Sequence, residues 1–232
     1  MEIEILYEDD ALIIVNKPNN ILVHASYYAR NIKEPSLLAR LKESIPIKLY
    51  PVHRLDHKTS GVLILAKSAA FTAKIQKQFE SNTIKKTYLA LVRGFSAAKG
   101  IIDTPIQNAA TGKYKDALTS YKTLEQTEVD IAVQPYPKSR YSLLEFHPET
   151  GRMHQLRKHA NKISHPIIGD HKYGNRHHNK MFAEELNFPN MFLHASEIVL
   201  EHPETNESLI VKAPLPLFWN EAFTKINLTT NY

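Results

Sequence analysis

Apolar and polar positions alternate with a period of two, or merge into continuous apolar runs, at residues 3–7, 11–15, 61–66, 88–92, 141–146, 194–200 and 209–211. Each of these stretches predicts a β-strand. A helical period links Leu37, Leu38, Leu41 and Ile45, then Phe71, Ile75 and Phe79, and later Met153, Leu156, Ala160 and Ile163. Ser68 stands where the second helix needs an N-cap. Strands outnumber helices without a regular strand-helix alternation. The pattern therefore predicts an α+β fold, a mixed and mostly antiparallel sheet with flanking helices, and disfavours a doubly wound one. Residues 94–116, with Gly100, Thr104, Pro105, Thr111 and Gly112, are expected to connect two lobes, and residues 134–140 form a second loop.

Length and composition narrow this picture. The chain has 232 residues, which fits one large domain or two lobes on a common core. Hydrophobic residues make up 43% and charged residues 23%, which excludes the composition of a disordered chain. Cysteine is absent, so disulfides, thiolate nucleophiles and sulfur-ligated metal sites are excluded. The first ten residues are acidic and lack the layout of a secretion signal, and no apolar run reaches membrane-spanning length. A soluble, cytoplasmic protein with no membrane association is expected.

Charge adds the first functional indication. Between Arg140 and Lys180 lie eight Lys or Arg against three acids, an excess equal to the +5 of the whole chain, and seven of the twelve histidines lie there too. Such a cluster is either a solvated face or a surface that follows phosphates.

Three constellations carry candidate chemistry. In Y-P-V-H-R-L-D (50–56), Val52 and Leu55 alternate with polar neighbours, so Arg54 and Asp56 are expected on one side of an extended segment. A carboxylate held beside a guanidinium at the edge of a core stays ionised at neutral pH, which suits a nucleophile or base, although the same pair also serves as a structural ion pair. In G-R-M-H-Q-L-R-K-H (151–159), if Met153, Leu156 and Ala160 face the core, then His154, Arg157 and Lys158 form a neighbouring stripe. That stripe is either an ordinary basic helix or a set of cations reaching a carboxylate and a phosphate. In K-T-Y-L-A-L-V-R-G (86–94), Tyr88 leads a strand and either packs at its rim or stacks on an unstacked base. The pairs His154 with His159 and His177 with His178 lack the spacing of a metal set, so no metal is expected.

Five ordered motifs make the chain similar to a known family. H-R-L-D-x-x-T-S-G-V-L-I-L-A-K, K-x-Y-L-A-L-V-R-G, G-R-x-H-Q-L-R-x-H, H-P-I-I-G-D-x-K-x-G and L-H-A-S-x-I-x-L-x-H-P together resemble the RluA-type pseudouridine synthases, from about residue 3 to residue 219. The resemblance implies the pseudouridine synthase fold with a central active-site cleft, as a single catalytic domain of two lobes sharing one sheet and without the small S4 RNA-binding module. It implies that Asp56 is the catalytic aspartate, Arg157 its partner, and Tyr88 a platform for the target uracil. Arg54 is then the residue that helps displace the base. His53, Arg152, His154, Lys158, Lys172 and Arg176 are expected to contact RNA. The reaction is the isomerisation of uridine in RNA to pseudouridine. No cofactor is implied, and the chain shows no nucleotide-cofactor fingerprint.

The stretches 136–159 and 164–179 most resemble members that act on uridine 65 of tRNA, so tRNA is the expected partner, with ribosomal RNA as the alternative. A monomer without a protein partner is expected. Two positions depart from the family pattern: Asn20 stands where relatives usually carry Gly, and Tyr173 where tRNA-acting relatives often carry His. Asn tolerates the left-handed backbone that such a turn needs. Two rival readings are an RNA-binding protein or chaperone that does not turn over, and an aspartate-dependent hydrolase. The second ranks low because glycosidases need two carboxylates and the motifs offer one.

Overall fold

All seven stretches with strand periodicity form strands, and all three with helical periodicity form helices, in the computed structural model, which describes residues 2–25, 32–108 and 110–229. In chain order the elements are β1 (Glu4–Glu8), β2 (Leu12–Lys17), α1 (Leu37–Ser44), β3 (Tyr50–Pro51), β4 (Ser60–Ala66), α2 (Ala69–Glu80) and β5 (Lys85–Arg93). They continue as β6 (Lys99–Asp103), β7 (Ile106–Gln107), β8 (Tyr114–Lys115), β9 (Leu118–Val129), β10 (Ser139–Pro148) and α3 (Gln155–Lys162). The last four are α4 (Arg176–Glu184), β11 (Leu193–Glu201), β12 (Ser208–Lys212) and α5 (Leu217–Lys225). The arrangement is α+β, with β1–β2, β2–β4, β5–β10, β9–β10 and β11–β12 paired antiparallel, as the pattern predicts. Among the described residues no helix is long and apolar enough to cross a membrane.

The chain divides into two compact units, Met1–Lys85 with Ala195–Pro214, and Lys86–His194 with Leu215–Tyr232. The divisions fall at Lys85, His194 and Pro214, so the expectation that residues 94–116 connect the lobes is wrong. That segment belongs wholly to the second unit and builds β6 and the β7–β8 hairpin. Its Gly100 is a packing residue of β6, where an added Cβ would come within 2.6 Å of the Tyr121 ring.

In the first unit β4 is buried along all seven residues, which explains its unbroken apolar sequence. It lies between β2 and β11, with Gly61 opposite Lys17 of β2. Gly61 has φ +109°, and a Cβ there would sit 2.1 Å from the Ala195 carbonyl oxygen, so only glycine fits. Ser68 caps α2 as expected, accepting the Phe71 N–H at 3.2 Å. The helix then lays Phe71, Ile75 and Phe79 on a core that includes Val62, Ile64 and Ile198.

In the second unit the strand order is β5-β10-β9-β6. Period-two alternation sorts β5 and β10 onto two cores. Leu89, Leu91, Tyr141 and Leu143 face Phe182 of α4 and Trp219 and Phe223 of α5. Ala90, Val92, Leu144 and Phe146 face Leu156 and Ala160 of α3. The helix α3 starts later than the spacing predicts. Met153 is 46% exposed and lies outside it, and His154 precedes the helix with a left-handed backbone, φ 56°. Gln155 and His159 take buried positions instead, because Thr119 and Thr150 of neighbouring segments supply their hydrogen bonds.

Candidate active site

The H-R-L-D segment occupies the short connection between β3 and β4, so both of its ends are tied to the sheet. Val52 and Leu55 are each 6% exposed and turn inward. The intervening Arg54 is exposed and Asp56 half-buried, the alternation the sequence predicts. His53, expected to contact RNA, also serves the fold. Its Nε2 accepts the Ile64 N–H at 3.0 Å, and its ring packs on Phe79 with centroids 5.1 Å apart. An acceptor Nε2 carries no proton, so that atom is committed to the fold. The Thr59 N–H donates to the Asp56 carbonyl at 3.1 Å and closes a turn directly after the carboxylate.

Beneath this turn lies Lys17, fully buried at the end of β2. Its ammonium donates to the carbonyls of Pro18 and Ile21 at 2.8 Å each and of His57 at 3.2 Å. Burial pushes it down to about 7, opposed by the nearby Asp56 carboxylate. Lys17 thus joins the N-terminal turn to the residue after Asp56, and Asn19 adds a bond from its Nδ2 to the Lys58 carbonyl at 2.7 Å. Asn20 adopts φ 60°, so the left-handed turn survives the replacement of the usual glycine. Sequence reading missed Lys17. The only signal was a lysine ending a strand of continuous apolar residues, a position where an unpaired charge is costly.

In the second unit Tyr88 is half-buried on β5, opposite Phe146 of β10, and packs on the core under α3. Arg157 projects from α3 with its side chain 11% exposed and forms a two-point ion pair with Asp170, Nε to Oδ2 at 2.7 Å and Nη2 to Oδ1 at 2.8 Å. Asp170 is 1% exposed, and its carboxyl is held below the usual range by Arg157 and by backbone N–H bonds despite its burial. The Tyr173 ring lies 5.2 Å from the Arg157 Cζ and 5.5 Å from the Lys172 Nζ. Its hydroxyl meets His154 Nδ1 at 3.0 Å. Asp170 is one of three acids in the basic stretch and the acid of the H-P-I-I-G-D motif, where the sequence alone assigns it no role, and in the structure it anchors Arg157.

Other expected contacts scatter more widely. Lys158 reaches the Gln107 carbonyl at 3.4 Å, and Arg152 the Asp116 carbonyl at 3.0 Å, so both brace the β7–β8 hairpin. Arg176 is exposed and donates to the His177 ring at 3.2 Å. His159 and His178 serve the fold. His159 Nε2 meets the Thr104 carbonyl at 3.0 Å and must donate there, while His178 Nε2 accepts from Arg93 Nε at 3.1 Å.

A profile of the RNA pseudouridylate synthase family matches residues 11–162, a span that contains Asp56, Tyr88 and Arg157. The chain belongs to this family. As a pseudouridine synthase it is an isomerase that converts uridine in RNA to pseudouridine. It is 37% identical to tRNA pseudouridine synthase C of Vibrio parahaemolyticus over 97% of this chain and 95% of that one. The protein of the same name in Haemophilus ducreyi is 38% identical over 97% and 96%. Among solved structures, human RNA pseudouridylate synthase domain containing 1 is similar with a TM-score of 0.73 at 26% identity, covering 93% of this chain and 84% of that one. The synthase family thus accounts for the fold and for the ordered motifs together.

Proposed function

We propose that this synthase isomerises one uridine in tRNA, position 65, with Asp56 as its catalytic carboxylate. The two units are read as lobes of one catalytic domain sharing a sheet, with Arg157 and Tyr88 serving as partner and stacking platform for the Asp56 chemistry. The observation that carries the reading is the bracing of the Asp56 turn. Two side-chain-to-carbonyl links, one of them from a buried ammonium, and a closed backbone turn fix the main chain that carries a half-buried carboxylate, which is the rigidity that aiming at a reacting atom requires. Relatives named as tRNA pseudouridine synthases support the choice of RNA.

The reaction breaks the bond from N1 to C1′, turns the base, and joins C5 to C1′. C5 gives up a proton and N1 gains one, so nothing is oxidised and no redox cofactor is required. Attack on C6, attack on C1′ and removal of a sugar proton all start from an ionised aspartate. Extruding the uridine from its stack costs on the order of a few kcal/mol, which phosphate contacts and stacking on Tyr88 offset. Arg54, exposed one residue from the inward-facing Leu55, is read as the residue that holds the vacated stack open, and its exposure supports that reading. Arg152, His154, Lys158, Lys172 and Arg176 are read as the basic face that meets the phosphates, with His53 as a further RNA contact. The enzyme is read as a monomer acting in the cytoplasm without a protein partner.

Mapping pseudouridine in total RNA from cells with and without the gene tests the substrate. Loss of the modification at tRNA position 65 alone is expected; loss from ribosomal RNA instead overturns the assignment. Arg54→Ala is expected to lower kcat/KM about 10- to 100-fold on folded tRNA but only about threefold on an unstructured oligonucleotide, where no stack has to be broken. Equal losses on both substrates would exclude the base-displacing role.

A further inference from the structure

We propose that Asp170 and Tyr173 are positioning residues that jointly fix the plane of the Arg157 guanidinium. The inference rests on the reading of Arg157 as the partner of the catalytic carboxylate. Asp170 holds the group within its plane, because two parallel bonds of 2.7 and 2.8 Å engage the Nε and Nη2 edge. Tyr173 holds it against tilting, with its ring 5.2 Å from Cζ. Together they leave the guanidinium no soft rotation.

Each holder is itself held. Asp170 Oδ1 accepts the N–H groups of Lys172 at 2.9 Å and Tyr173 at 3.1 Å, so the carboxylate cannot swing. Asn179 of α4 grips the same main chain on both sides, accepting from Gly169 N at 2.8 Å and donating to the Asp170 carbonyl at 2.9 Å. The Tyr173 ring is fixed by the 3.0 Å contact of its hydroxyl with His154 Nδ1 and by an edge-on packing of the two rings at 5.6 Å. A buried ion pair contributes little to stability compared with apolar residues of the same volume. What this arrangement adds over an apolar packing is a defined direction for the Nη1-bearing edge, and catalysis is sensitive to misplacements of about 1 Å in such groups.

Single-turnover and steady-state kinetics on a tRNA substrate, with nitrogen-15 NMR of the arginine side chains, test the proposal. Asp170→Asn is expected to lower kcat about 100-fold and Tyr173→Leu about tenfold, with KM changed less than about twofold, while Tyr173→Phe, which keeps the ring face, stays within about threefold of wild type. A packing role would tolerate Leu as well as Phe. In an Arg157→Ala background, Asp170→Asn should cause no further loss. Multiplying losses, effects confined to KM, or equal behaviour of Leu and Phe at position 173 would overturn the clamp. NMR provides a readout independent of activity. Rotation of the Arg157 guanidinium is expected to be slow in wild type and fast in Tyr173→Leu, a variant that leaves Asp170 in place should Asp170→Asn fail to fold. If Arg157→Ala turns over normally, the reading of Arg157 fails, and unchanged rotation in both variants separately refutes the clamp.

Discussion

Asp56→Asn is expected to lose at least about 1,000-fold in conversion while RNA affinity stays within about twofold of wild type. The amide has the shape of the carboxylate but neither its charge nor its basicity, and each route to glycosidic cleavage begins with an ionised aspartate. Docking, on the proposed reading, is assigned instead to cations of the second unit and to Arg54. Release of tritium from RNA labelled at uracil C5 measures conversion, because C5 must surrender its hydrogen, and filter binding measures affinity. The fold should tolerate the change, since the Asp56 backbone keeps its bond from Thr59 N–H at 3.1 Å. Tritium release above about a tenth of the wild-type rate would remove Asp56 from the chemistry. Full loss of binding would instead make it a docking residue.

Lys17→Met is the change with the largest expected effect on stability. It leaves the carbonyls of Pro18, Ile21 and His57 without their buried donor and takes a cation away from the vicinity of Asp56. The expected cost is about 3–5 kcal/mol. A pH signature separates this charge effect from lost packing. Lys17 sits near 7 in the fold against about 10.4 in an unfolded chain, so between these values the unfolded state holds the additional proton. Wild-type stability therefore gains up to about 1.4 kcal/mol per pH unit from this group as pH rises through that window, and the gain is absent in Lys17→Met. Parallel stability curves for the two proteins from pH 7 to 10 would show that Lys17 is not titrating there.

Local pattern carried the fold a long way. Where a strand is buried on both faces, as β4 is, or a helix has an apolar stripe and a serine cap, as α2 has, the burial that stabilises the element is written in consecutive residues. The pattern failed where that link is weak. Strand β9 is twelve residues long but rich in Thr, Gln, Glu and Lys; it is held by pairing with β10 on one side and β6 on the other, not by an apolar face of its own. Helix α4 opens with Arg176, His177 and His178, and only His178, Met181 and Phe182 are buried. At the site, motif residues were legible because resemblance names them. The roles of Lys17 and of Asp170, itself inside a motif, were not, since each matters through partners distant in sequence: Lys17 reaches a carbonyl forty residues away, and Asp170 pairs thirteen residues back across a turn.

The free margin of β6 bears on how the protein behaves when crowded. This strand ends the order β5-β10-β9-β6, and its central Ile101 is 73% exposed. An open strand border with a greasy residue invites neighbouring molecules to zip on as additional strands. Here the border is five residues long, with Lys99 at one end and Asp103 at the other. Those opposite charges interrupt the sticky strip at both ends and shorten the border that another strand could use.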